Sequence, residues 1–157
     1  MPLIGRDRLD DAIDDTVKEL NKKLSAIYIK GLGEMVRMSP VHFKDGGRLK
    51  NNWFLTVGQP SSNTRDGNAT GSTSYAELGS MPATVLGKKV YFTNNLPYAN
   101  TVEYGGYPNP PKKGTNTSET KGEPNYQKLS AGGYSRQFPN GMARINIKKM
   151  KAKVKKL

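Results

Sequence analysis

The single histidine, His42, is the side chain best suited to proton transfer near neutral pH. Catalysis there needs a nucleophile or a carboxylate partner, and no Gly-x-Ser-x-Gly, His-Glu-x-x-His or paired-carboxylate pattern accompanies it. His42 is therefore read as a loop or interface residue. A phosphate site calls for a glycine-rich loop ending in Gly-Lys-Ser or Gly-Lys-Thr, which Gly87-Lys88-Lys89 and Gly114-Thr115 do not supply. With no cysteine and one histidine, an ordinary structural zinc site has no ligand set. These residues predict no enzymatic activity, no metal and no cofactor.

The chemistry the sequence does offer is positive charge. Of the net +12, residues 1–40 contribute nothing and residues 41–105 contribute +2, which leaves +10 in residues 106–157. Lys148, Lys149, Lys151, Lys153, Lys155 and Lys156 are followed by no acid, and Met150, Val154 and Leu157 fall between them at helical steps. That pattern predicts an amphipathic basic helix. Its lysines are solvated on a docking helix, or they meet DNA or an acidic neighbouring surface. Lys112, Lys113 and Lys121 are expected to seek the same kind of partner.

The elements that must position these groups follow from hydropathy and turn chemistry. A chain of 157 residues makes one domain, with 34% hydrophobic residues and 27 glycines and prolines giving a thin core and much loop. Leu9, Ile13, Val17, Leu20, Leu24 and Ile27 step by threes and fours and predict a helix over 8–38. Asp10, Asp11, Asp14 and Asp15 near its start suit the helix dipole. Gly31 and Gly33 weaken its last turns, and Ser39-Pro40 ends it.

Strands are expected at Trp53–Val57, Lys88–Thr93 and Met142–Ile147 within strand-and-turn regions 39–105 and 134–157, the latter closing in the basic helix. Gln59 to Thr73 reads as a polar loop and Ser74–Leu78 as a short helical turn. Residues 106–133 read as a mobile Gly/Pro-rich insert too poor in apolar residues to repay its ordering, so it orders only against a neighbour. Tyr107, Tyr126 and Tyr134 are its expected anchors on that neighbour. The predicted class is α+β, a long N-terminal helix packed on a small, mainly antiparallel sheet with a C-terminal helix beside it. No apolar run approaches a membrane span, and the start lacks a secretory pattern, so the expectation is a soluble chain made in a cytoplasm, with no membrane partner.

Three segments carry a resemblance. Val90-Tyr91-Phe92-Thr93-Asn94-Asn95-Leu96-Pro97-Tyr98-Ala99, continuing to Val102-Glu103-Tyr104-Gly105, is similar to a strand, turn and short helix of the tail-completion and neck family of long-tailed bacteriophages. Ser39-Pro40-Val41 through Gly46-Gly47-Arg48-Leu49-Lys50-Asn51-Asn52-Trp53 resembles the family's helix end and Gly-Arg-Leu turn into the first strand. Tyr134-Ser135-Arg136-Gln137-Phe138-Pro139-Asn140-Gly141-Met142-Ala143-Arg144 resembles its Ser-x-Gln-x-Pro-x-Gly-Met element before the last strand and C-terminal helix. What the resemblance implies is a virion protein assembled in the host cytoplasm, in a ring of six or a related number. Its implied partners are further copies of itself, the head-tail connector or adaptor, the tail terminator and the tail tube; genome DNA in the channel is the partner that the lysine-rich helix would meet.

Gln137 and Met142 join the three tyrosines as expected interface residues. Gly46, Gly47, Pro97, Tyr98, Glu103, Gly105 and Gly141 are expected to be architectural, with glycines where other residues resist the backbone angles and Glu103 capping or pairing with Arg48 or Arg144. The alternative function is a free, basic nucleic-acid-binding protein. Single-strand binders interleave basic residues with aromatic stacking platforms, which the lysine run lacks.

Overall fold

A computed structural model describes residues 6–41, 46–104, 119–120, 123–124 and 140–157. His42, Gly105, Tyr107, Lys112, Lys113, Lys121, Tyr126, Tyr134 and Gln137 lie outside the described residues. The expected class holds: a long helix, a small antiparallel sheet and a C-terminal helix.

Helix α1 spans Arg6–Met38. At 1.5 Å per residue it is about 50 Å long, and it runs through Gly31 and Gly33 without interruption. It stops where expected, because the Ser39 hydroxyl donates to Met35 O (2.9 Å) and Pro40 follows. Gly46 and Gly47, both with positive φ, turn the chain into the single-turn helix α2, Arg48–Asn51. Strand β1, Trp53–Val57, then pairs antiparallel with β2, Val90–Asn94, in the register Trp53↔Asn94 to Val57↔Val90. That register puts Trp53, Leu55 and Phe92 on one face, where the Trp53 and Phe92 rings stack at 4.9 Å across a diagonal pair. Between the strands lie α3, Ser72–Glu77, and a 3₁₀ turn, Leu78–Ser80. Helix α4, Ala99–Tyr104, follows β2, and a minimal ladder of β3, Glu119–Thr120, and β4, Glu123–Pro124, falls within the segment read as a loop.

The sequence reading of Met142–Ile147 as a third strand is wrong. Those residues open helix α5, Ala143–Val154, and no third strand joins the β1–β2 sheet among the described residues. Ile145 and Ile147 stand two apart, but the buried residue is Asn146 between them, while Ile147 is 41% exposed. The governing period is Met142, Asn146, Met150, Val154, a stripe at steps of four. The Asn146 amide donates to Met142 O (2.8 Å) and approaches Met38 Sδ (3.3 Å), which satisfies it inside the core.

Helix α5 lies antiparallel along the C-terminal half of α1, Asn146 meeting Met38 and Met150 lying over Gly31. A Cβ at Gly31 would run into the Met150 thioether, so this glycine serves close helix packing and not a kink. The core gathers Leu32, Met35, Val36, Leu49, Trp53, Leu55, Leu78, Leu96 and Met142. Burying such side chains contributes roughly 1.5–3 kcal/mol each.

Candidate functional site

Described residues of the three segments 39–53, 90–105 and 134–144 meet in one buried knot. Its centre is Glu103, near the end of α4 and 5% exposed. One carboxylate oxygen accepts from the backbone N–H of Met142 (2.8 Å) and Ala143 (2.9 Å), the other from Arg144 N (2.9 Å) and Nε (3.1 Å). Arg144 Nη2 donates in turn to Glu103 O (2.7 Å). A distant carboxylate thus satisfies the free N–H groups at the start of α5, the role usually taken by a local cap. The α5 N-cap residue, Met142, has no side-chain cap of its own. Of the two arginines expected to pair with Glu103, Arg144 is the partner, and its guanidinium also sits 5.1 Å from the Tyr104 ring centroid.

Burial alone would raise the Glu103 pKa, but the Ala143, Arg144 and Met142 N–H groups and the Arg144 side chain outweigh it, holding the group below the ordinary glutamate range. A carboxylate whose oxygens are occupied by four donors is committed to holding the helix start. Gly141 makes room for it: φ is 70°, and a Cβ would collide with Glu103 Oε1 and lie 2.7 Å from Arg144 Nε. Glu103 and Gly141 together shape the turn into α5. Pro97 stands exposed in the turn after β2, and Tyr98 packs half-buried against the core.

The remaining segment, 39–53, locks onto the same knot. The Ser39 hydroxyl accepts from Trp53 Nε1 (2.8 Å) and lies 3.6 Å from Met142 Sδ. The Asn94 amide donates to Leu49 O (2.9 Å). Met142, expected at an interface, is 1% exposed and belongs to this core, because the turn into α5 directs it inward.

A second polar cluster was not found from sequence. Asn52, fully buried, donates to Arg48 O (2.7 Å) and Arg65 O (2.8 Å) and accepts from Arg65 N (2.7 Å). Arg65 covers the outward face of β1, its guanidinium 3.8 Å from the Phe54 ring centroid and 2.8 Å from Glu77 Oε1, while Glu77 Oε2 accepts from Leu55 N. The polar loop after β1 is thereby pinned to the sheet. The available signal was the Asn51-Asn52 pair immediately before an aromatic strand.

Two exposed surfaces stand out among the described residues. Arg144, Ile147, Lys148, Lys151, Ala152 and Lys155 line a shallow groove on the outer side of α5, while Lys149 and Lys153 edge the seam with α1. Lys156 follows the helix, also exposed. At the other end of the chain every residue from 8 to 19 is exposed, including Leu9 (61%), Ile13 (52%) and Val17 (42%). Leu9 and Ile13 therefore stand out from the body on an arm, Val17 lines a groove with Met81 and Pro82 at its base, and burial begins at Asn21 and Leu24.

Among the described residues no group of three or more His, Cys, Asp or Glu could hold a metal ion, and no helix is long and apolar enough to cross a membrane. No protein-family model matches the chain, nor does any curated protein or solved structure.

Proposed function

We propose that this chain is a structural, non-catalytic subunit of a tailed-bacteriophage particle, working in a ring where the head connector meets the tail. The observation that carries the reading is the interlock of the three resembling segments: Ser39 of segment 39–53 touches Met142 of segment 134–144, Asn94 of segment 90–105 holds Leu49 of segment 39–53, and Glu103 of segment 90–105 caps the helix that begins in segment 134–144. Residues drawn from the three separated places that carry the resemblance hold each other in the fold. A projecting apolar arm on a thin core also suits a subunit completed by its neighbours.

The test is disruption of the gene in the phage genome that encodes the chain. Full heads and finished tails that fail to join, with joining restored by added protein, are expected. Normal joined particles made without the protein would reject the reading.

The second reading, a free nucleic-acid-binding protein, draws support from the basic row Arg144, Lys148, Lys151 and Lys155 on the outer side of α5. It requires duplex or single-strand binding by the isolated chain that weakens steeply with salt.

A further inference from the structure

Two exposed surfaces of this chain complement each other and cannot meet within one copy. The first is the arm of α1, where Leu9, Ile13 and Val17 form an exposed apolar stripe with Asp10 and Asp14 along one edge. Residues 8–20 hold five acids and two bases. The second is the outer face of α5, where Lys148, Lys151 and Lys155 flank Ile147 and Ala152. Residues 143–157 hold seven bases and no acid. The aliphatic stems of the lysines add apolar surface to this face while their ammonium groups stay at its rim.

Geometry keeps the two apart in one copy. Helix α5 uses its inner side to pack on α1, with Met150 over Gly31 and Lys153 beside Ile27, so its outer row faces away from α1. The arm belongs to a helix that is unbroken from Arg6 to Met38 and cannot fold back over α5.

We propose that the arm of α1 docks on the outer face of α5 in a second copy of this chain. The apolar stripe of the arm covers Ile147 and the lysine stems, and its acidic edge meets the lysine row. Two different patches are used, so the contact is head-to-tail and leaves each copy with one free arm and one free α5 face. Such a contact propagates, closing into a ring where the rotation between copies allows. The inference rests on the ring reading above and names the surfaces through which its copies meet.

The experiment is sedimentation and light scattering of the full chain and charge-swapped variants, with circular dichroism and thermal melts as fold controls, since all four altered positions are exposed. Asp10→Lys/Asp14→Lys sets a basic arm against a basic face, and Lys148→Glu/Lys151→Glu places two acids in the row that the acidic arm must meet. Each variant alone is expected to lose the assembled species. An equal mixture restores it, as does the chain carrying all four changes, because the exchanged positions on arm and face again carry opposite charges.

Assembly of the Lys148→Glu/Lys151→Glu variant by itself would overturn the proposal, pointing to arm pairing with arm. So would loss of DNA binding in that variant with assembly unchanged, which would give the lysine row to nucleic acid. A parent chain that stays monomeric at its highest soluble concentration would overturn this contact, while leaving the junction reading to the gene-disruption result.

Discussion

Glu103 and Arg144 lie 41 residues apart and grip each other twice, the Arg144 Nε on the Glu103 carboxylate and its Nη2 on the Glu103 carbonyl. Because the same carboxylate holds three backbone N–H groups at the start of α5, one side chain fixes where that helix begins and how it lies on α1. Glu103→Ala leaves Arg144 Nε and three helix N–H groups without their carboxylate acceptor. The expected loss is about 3–5 kcal/mol of folding stability, measured by urea unfolding. Glu103→Gln keeps the shape and loses the charge, and is expected to fall between the two.

The same group sets a pH dependence with a definite sign. Its folded pKa is depressed, so its contribution is fully present above the ordinary glutamate value, about 4.3, and is lost as pH falls through the lower folded value. The parent is expected to lose more stability than Glu103→Gln as pH drops from neutral through this acid window. Parallel stability curves for the two proteins would show that the carboxylate charge contributes nothing there.

Gly141 answers two demands at once, a left-handed backbone and the closeness of Glu103. Gly141→Ala is expected to cost roughly 1–2 kcal/mol for the backbone alone, and more for the displaced carboxylate. Thermal melts check the loss. Gly46→Ala is the control, because nothing lies within 4 Å of a Cβ there and only the backbone term applies.

Asn52 is the knot that holds the loop after β1. Asn52→Ala removes two donated bonds and one accepted bond at a fully buried site, and about 2–3 kcal/mol of lost stability is expected. Limited proteolysis separates a local from a general effect: cleavage within residues 58–71 of the variant, before any cut in α1, is the expected result.

Much of this fold was legible in the sequence because its signals were local. The β-branched and aromatic run Trp53–Val57 forms the strand it predicts, and Ser39-Pro40 ends α1 as its chemistry requires. Gly46, Gly47 and Gly141 do take positive φ. The error at Met142–Ile147 arose because two isoleucines two apart mimic strand alternation, while the decisive cap on α5 comes from Glu103, far away in sequence.

The Asn52 and Arg65 cluster was hidden for a related reason. Buried polar knots depend on which loop folds back on which strand, and residue type alone does not encode that. The apolar stripe of α1 was read correctly as a stripe, but its outer half meets no core, and only the fold showed where the body ends.

The most direct measurement is an electron cryomicroscopy reconstruction of the head-tail junction of particles carrying this protein. A ring of repeated density there should accept the α1 helix of Arg6–Met38 with α5 antiparallel along its C-terminal half, in one copy per repeat. A junction whose density is fully accounted for by other chains, with this protein elsewhere in the particle or missing from it, would contradict the proposed role.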